Sequence, residues 1–429
     1  MSKPAPASVE SDCHLGAYRD SAGHLLTLQA DEGAGLRFYL MDGRSGLLEP
    51  SPQRPSGYTA RPGWSTTEPP VAWADLGVCG SNAIEFNLKG GPGGRWTKVP
   101  LQVQDTRFAS RGVWLSARWV RPPGAQPSSA VILVHGSGAT ASIDATNLQW
   151  LLPAEGISIF VFDKRGTGRS EGVFTHNFEI LADDVVAAIG ELRRLGGRQI
   201  TRLGLAGFSQ GGWVAPLAAA KTPVDFIIVG YGVAGSPVEQ DIWQVAYQLA
   251  DQGYGPDVLA KARRVCEAAG RFAATDFSGS LTELRALQAQ YAGEPWLAKV
   301  DGQYSGELLR GEIERVRQES PGVIWSHDAM QVLRALKIPQ LWIMAGADSV
   351  APSGPSIARL EELQQELEPI DIAVFPDTDH RIVEFKIMPD CRRQKTRAAD
   401  GYFPLQVDWI KGRLSPPYGR AQLMPALSR

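Results

Sequence analysis

A serine hydroxyl becomes a useful nucleophile when an imidazole takes its proton and a carboxylate holds that imidazole in place. This chain offers one of each, in a fixed order. Ser209 is the centre of Gly207-Phe208-Ser209-Gln210-Gly211, between an apolar run at 203–206 and a small-residue segment at 212–220. Strand, sharp turn and helix are the context this G-x-S-x-G spacing requires. The glycines let strand and helix approach closely, and the helix N-terminus favours negative charge developing at the serine. A base and an acid should then follow in loops beyond later strands. Of six histidines, His380 alone lies beyond the second half of the strand pattern, after the apolar run 372–375. His327 is the rival, but it precedes the strand that should carry the acid and begins a helix. Asp348, just after the run 341–344, is the expected acid, while Asp377 and Asp379 read as solvated turn formers, one of which could instead steer the imidazole.

A tetrahedral intermediate also needs amide donors aimed at its oxyanion. The amide of Gln210, immediately after the nucleophile, is one candidate. The other belongs to His135-Gly136-Ser137-Gly138, whose glycines permit close backbone approach. The Ser137 amide is preferred there, with Gly136 second, and His135 reads as a loop brace. A third loop, 163–170, contains Asp163 and Arg165, read as charged groups that tie the loop down rather than as substrate contacts.

These residues need elements to position them. Residues 16–104 read as short strands broken by Asp-Gly and Gly-Gly turns, which predicts a small all-β domain over 1–112, either a sandwich or a small barrel. From 113 the pattern changes to strands alternating with helices, the mark of a mostly parallel sheet covered by helices. Apolar runs at 131–134, 157–162, 203–205 and 226–229 read as buried strands. Ile180, Val185, Ala188 and Leu192 recur at helical spacing. Alternation stops between 236 and 336, where Val238, Ile242, Val245 and Leu249 share one helical face, as do Leu259, Ala262, Val265 and Cys266. An all-helical insertion at 236–336 therefore divides an α/β domain into 113–235 and 337–429, and a closing helix is predicted over 405–414.

Composition narrows the classes. With 43% hydrophobic and 21% charged residues and a net charge of −3, the 429-residue chain resembles an ordinary globular protein. No basic cluster suggests nucleic acid, no apolar run reaches membrane-spanning length, and no phosphate or zinc motif is present. No cofactor and no metal are expected. Residues 1–8 lack the apolar stretch of a secretory leader, and Cys13, Cys79, Cys266 and Cys391 show no metal or redox spacing. A reducing cytoplasm is the expected compartment.

Taken together, H-G-S-G, then D-x-R-G-x-G-x-S, G-F-S-Q-G-G, G-A-D-S-V-A-P and D-H, in that order, resemble the α/β-hydrolase fold superfamily over residues 113 to about 414. The G-x-S-Q-G-G-W stretch with its H-G-S-G loop is most similar to esterase-like members near the dienelactone hydrolase and S15/S9 peptidase branches. The resemblance implies a Ser209-His380-Asp348 triad, hydrolysis of carboxylic esters, and a cap formed by the helical insertion. Trp243, Tyr247 and Trp325 are then candidates to line the substrate pocket, with Tyr291 and Trp296 behind them. The same machinery serves amides, thioesters and acyl transfer, and a non-catalytic binding protein on this fold is the alternative from another class. The expected partner is a small-molecule ester, without nucleic acid or integral membrane contact, and a homodimer is left open.

Overall fold

The computed structural model describes residues 13–31, 35–51, 57–124, 128–366 and 368–427; residues 1–8, read above for a leader, lie outside these. Eight short strands come first: β1 (Gly16–Arg19), β2 (Leu25–Ala30), β3 (Leu36–Leu40), β4 (Ser45–Pro50), β5 (Gly57–Ala60), β6 (Ala72–Asp75), β7 (Ala83–Leu88) and β8 (Gly93–Lys98). Each pairs antiparallel with the next, and β1 closes onto β8. Of the two all-β forms expected, the chain takes the barrel, whose closure leaves no open sheet edge. The period-2 pattern of β7 shows how: Ile84, Phe86 and Leu88 are buried while Glu85 and Asn87 face water. Leu26, Leu28, Phe38, Phe86 and Trp96 fill the interior, with Phe86 edge-on to both Phe38 and Trp96. The barrel is a packed core rather than a ligand cage.

A disulfide joins Cys13, before β1, to Cys79, between β6 and β7. The sequence spacing did not suggest this pairing, because the two cysteines meet only once the barrel has closed. The expectation of a reducing cytoplasm rested on the cysteine spacing and on residues 1–8, and the disulfide is at odds with the first of these. No helix among the described residues is long and apolar enough to cross a membrane.

The second body is a nine-stranded sheet. Its strands are β9 (Gln102–Ser110), β10 (Val113–Arg121), β11 (Ser128–Val134), β12 (Ser158–Phe162), β13 (Ile200–Phe208), β14 (Phe226–Gly230), β15 (Gln340–Ala345), β16 (Ile370–Phe375) and, after a small three-stranded sheet, β20 (Gln422–Met424). That small sheet is β17 (Thr378–Asp379), β18 (Val383–Ile387) and β19 (Arg393–Ala398). The large sheet runs β20-β16-β15-β14-β13-β11-β12-β10-β9. From β12 to β16 every pairing is parallel, and the β9–β10 hairpin and β20 close the two edges antiparallel. Every residue of β12, β14 and β15 is buried, as a sheet covered on both faces demands. By its pairing β9 belongs to this sheet, although the boundary expected at 113 leaves it with the β domain. Its alternate residues are exposed, so it carries no apolar run.

Helices α1 (Leu148–Ala154), α2 (Phe178–Gly196) and α3 (Gly211–Lys221) cover the first half of the sheet. Asn177 caps α2 by accepting from the Ile180 amide, and the Val185, Ala188, Ile189 and Leu192 face is buried. Between β14 and β15 the chain is helical: α4 (Pro237–Asp251), α5 (Pro256–Ala273), α6 (Thr282–Gln290), α7 (Ser305–Arg310), α8 (Ile313–Glu319) and α9 (Ala329–Ala335). Ser236 and Glu239 form a capping box at the start of α4, with Pro237 in the first turn. This insertion has its own core, which includes Val245, Cys266, Phe272, Tyr304 and Trp325. Buried Asp241 ties it together, accepting from the Gln303, Tyr304 and Ser305 amides and the Ser305 hydroxyl. Beyond β15 come α10 (Ser353–Gln365) and α11 (Tyr402–Ile410). The closing helix thus starts three residues before the expected 405 and stops four short of 414.

Candidate active site

Ser209 stands between β13 and α3 with φ +53°, the left-handed region that a non-glycine residue occupies at a cost. The turn is held by the Ser209 amide donating to the Gly230 carbonyl at 3.0 Å and the Gly212 amide donating to the Ser209 carbonyl at 2.7 Å. Side chains at Gly207 or Gly211 would overlap the Gly211 and Val134 carbonyls, so the flanking glycines are sterically required.

The three residue types expected to act together do meet. His380 Nε2 lies 3.1 Å from Ser209 Oγ, and His380 Nδ1 lies 2.8 Å from Asp348 Oδ2. Asp348 is buried, and its second oxygen accepts from the Val350 and Ala351 amides at 2.9 and 2.8 Å. With both oxygens occupied, the carboxylate can hold the tautomer protonated at Nδ1, in which Nε2 is an acceptor toward the Ser209 hydroxyl. His327 is elsewhere, edge-on to Phe178 at 5.4 Å.

Two more residues lie against the imidazole or its loop: Tyr231, which sequence reasoning did not place here, and Asp379, one of the two carboxylates that could steer the ring. Tyr231 packs edge-on against His380 at 4.9 Å and stacks on Phe208 at 5.8 Å. Burial, with a contribution from Asp348, pushes its phenol up to about 12 despite the opposing pull of Arg381, so it stays protonated. Asp379 is not a solvated turn former: it is buried and accepts from the Ser349 amide and hydroxyl and from the His380 amide. Asp377 is the exposed one, paired with Arg420.

Gly136 lies against Ser209, since a Cβ there would meet the Phe208 carbonyl at 3.2 Å and Ser209 Cβ at 3.3 Å. Ser137 lines the same cavity as Ser209 and Gln210. The Gln210 side chain reaches His176 Nδ1 at 2.7 Å. Burial, and then the nearby Lys164 ammonium, lower the His176 pKa against the effect of its hydrogen bonds, so the ring is neutral and its Nδ1 accepts from the Gln210 amide group. His135 keeps both ring nitrogens buried and unpartnered, edge-on to Phe162. Burial and Lys164 hold its pKa down to about 3. In the next loop Arg165 pairs with buried Asp184 at 2.7 and 2.5 Å, and Asp163 accepts from the Ser142, Ile143 and Arg169 amides. Both are braces.

The hydroxyl opens into a cavity of about 880 Å³. One wall is apolar, built from Phe178, Trp213, Val233, Val323 and Trp325. The barrel supplies another, with Asp31, Arg37, Tyr39 and Trp64. Of the three aromatic pocket candidates only Trp325 lines it. Trp243 lies under the Arg359 guanidinium at 5.1 Å, and Tyr247 accepts from Arg393 at 2.8 Å. Tyr291 and Trp296 are buried in the core of the insertion. Aromatic type was legible in the sequence, but the helix face turned toward the cavity was not.

Sheet order, elbow and loop placement define a class, and the comparison with known families agrees. Residues 131–385 match the Alpha/beta hydrolase family, and the chain belongs to it. Among particular proteins, it is 33% identical over 118 residues to the uncharacterized protein YfhR of Salmonella typhimurium. That match takes in 27% of this chain and 39% of YfhR, so the chain spans about two fifths of that relative's length. Among solved structures, the esterase Pf2001 of Pyrococcus furiosus aligns over 65% of this chain and 83% of its own, at 16% identity and a TM-score of 0.42. The acylaminoacyl peptidase of Pyrococcus horikoshii aligns over 85% and 51%, at 17% identity and a TM-score of 0.42.

Proposed function

We propose that the chain is a serine hydrolase that cleaves carboxylic esters through an acyl-enzyme on Ser209. The observation that carries this reading is the unbroken hydrogen-bonded line from Ser209 Oγ through His380 to buried Asp348, at 3.1 and 2.8 Å. His380 Nε2 takes the hydroxyl proton as Oγ attacks the ester carbonyl, and the oxyanion forms toward the amides of Gln210 and Ser137, with Gly136 the alternative to Ser137. Collapse breaks the acyl–oxygen bond while His380 returns the proton to the leaving alcohol. Water, deprotonated in turn by His380, then releases the acid and restores Ser209. The helical insertion acts as a cap, and the apolar wall from Phe178 to Trp325 takes the acyl group.

Hydrolysis of p-nitrophenyl esters of graded acyl length tests this. Turnover is expected for the unaltered chain, with a loss in kcat of about 10⁴-fold or more in Ser209→Ala. Turnover that survives in Ser209→Ala, or a folded chain that neither turns over nor takes a fluorophosphonate at Ser209, overturns the reading. Labelling without ester turnover moves the substrate to amides, thioesters or acyl transfer.

A further inference from the structure

Lys164, the second residue after β12, is only 1% exposed, yet it ends on a single good acceptor. Its Nζ donates to the Gly136 carbonyl at 2.8 Å and lies 4.7 Å from the centre of the Phe174 ring. Among the described residues no carboxylate pairs with it. The titratable groups nearest in effect are the rings of His135 and His176, which its charge helps keep neutral. Burial alone lowers its pKa to about 7. A buried ammonium without a counter-ion is expensive, and an apolar side chain would fill the same space at less cost. Packing does not account for a lysine here.

The Gly136 carbonyl and the Ser137 amide are the two ends of one planar peptide. An Nζ–H donor that fixes the oxygen, whether as ammonium or as amine, therefore fixes the direction of the N–H, which points the opposite way across the trans bond. It also draws electron density toward the oxygen, and a peptide polarised in this way is a stronger donor at its nitrogen. Gly136, which carries this carbonyl, is the residue that faces Ser209, since a Cβ there would meet Ser209 Cβ at 3.3 Å. Resting on the serine-hydrolase reading above, we infer that Lys164 is a positioning residue: through the Gly136 carbonyl it aims and polarises the 136–137 peptide, so that the Ser137 amide, not that of Gly136, receives the oxyanion. The choice left open by the loop's sequence is thereby made by a side chain from the neighbouring strand end.

The test compares Lys164→Met, which keeps the bulk, with Lys164→Gln, which keeps a donor without the charge. On the best p-nitrophenyl ester, Lys164→Met is expected to lose about ten- to a hundredfold in kcat with KM within about twofold, less than the 10²–10³ of a deleted oxyanion donor. Lys164→Gln should recover part of the loss. Phenylboronic acid, whose tetrahedral adduct on Ser209 presents an oxygen to the same donors, should weaken in Ki by the factor lost in kcat. Unchanged kcat and Ki in either folded variant overturn the inference. So does a loss of kcat with an unchanged boronate Ki, which is what a merely structural lysine would give. Should Lys164→Met fail to fold, Lys164→Gln carries the same test. Failure of the underlying reading looks different, because Ser209→Ala would then retain turnover whatever happens at position 164.

Discussion

Asp379 accepts from the Ser349 amide at 2.8 Å, the Ser349 hydroxyl at 2.9 Å and the His380 amide at 2.9 Å, so one carboxylate spans the loops that carry Asp348 and His380. Burial pushes its pKa up, but these donors and Arg393 outweigh burial and leave it below the usual 3.8. A carboxyl depressed in the folded state adds stability above its unfolded pKa, and that stability is lost as pH falls through the folded value. Asp379→Ala is therefore expected to lose about 2–4 kcal/mol in urea unfolding at pH 7, with the gap to the parent closing below about pH 4. An unchanged midpoint at pH 7 would remove Asp379 from the support of the site. Lys164 runs the other way. Its folded pKa of about 7 lies below the ordinary 10.5, so the unfolded chain holds more protons between those values and stability rises with pH across that window. Lys164→Met should accordingly raise Tm most below pH 7, with the gain fading toward pH 10.5 in a melting series. Ser209, His380 and Asp348 were legible because each follows its own apolar strand in a local pattern. Asp379 was legible only as one of two carboxylates near His380, and Lys164 not at all, since what matters in each is a partner about thirty residues away in the chain: Ser349 for one and Gly136 for the other.

Periodicity exposed the insertion as an element, because six helices without a strand interrupt an otherwise regular alternation. It could not show which side of those helices meets Ser209. The segment of the insertion just before its last helix turns out to matter, where Val323 and Trp325 line the cavity together with Phe178 and Trp213. Trp325 is also core, edge-on to Tyr304 at 4.7 Å and Phe277 at 5.6 Å, so removing it would confound fold and pocket. Val323 is half-buried at the cavity wall, which makes it the cleaner probe. Val323→Phe adds volume where the acyl chain is proposed to lie. The expected result is a fall of tenfold or more in kcat/KM for p-nitrophenyl octanoate, with the acetate ester changed less than about threefold. An equal loss along the whole series would place the acyl group on another wall. The same limit explains β9: four of its nine residues face water, so a search for apolar runs passes over a strand that nine backbone pairs fix to β10.

At the scale of the molecule, the barrel meets the small three-stranded sheet at the cavity, which Ala398 of β19 lines. Two barrel turns press onto β19: the Ala398 amide donates to the Gly43 carbonyl at 3.1 Å, and Gly63 approaches the Thr396 carbonyl so closely that a Cβ would overlap it. Gly63 has φ +57°, so both its conformation and its surroundings call for glycine. Its carbonyl accepts from Arg37 at 2.6 Å, and Arg37 also holds Asp31 at 2.7 Å and lies 5.1 Å from the Trp64 ring. Asp31, Arg37 and Trp64 are the barrel's wall of the cavity. Gly63→Ala must therefore move the turn away from β19 and carry that wall with it. The hydrolase sheet, the elbow and the Ser209–His380–Asp348 line lie on other elements and keep their own packing. The expected signature is a rise in KM of about tenfold for the preferred ester, with kcat within about threefold and fluorophosphonate labelling of Ser209 intact. If KM instead stays at the parent value while Tm falls, the barrel stabilises the chain without touching substrate. If kcat falls in step with a slower label, the barrel contact reaches the nucleophile through β19 and the small sheet that carries Asp379.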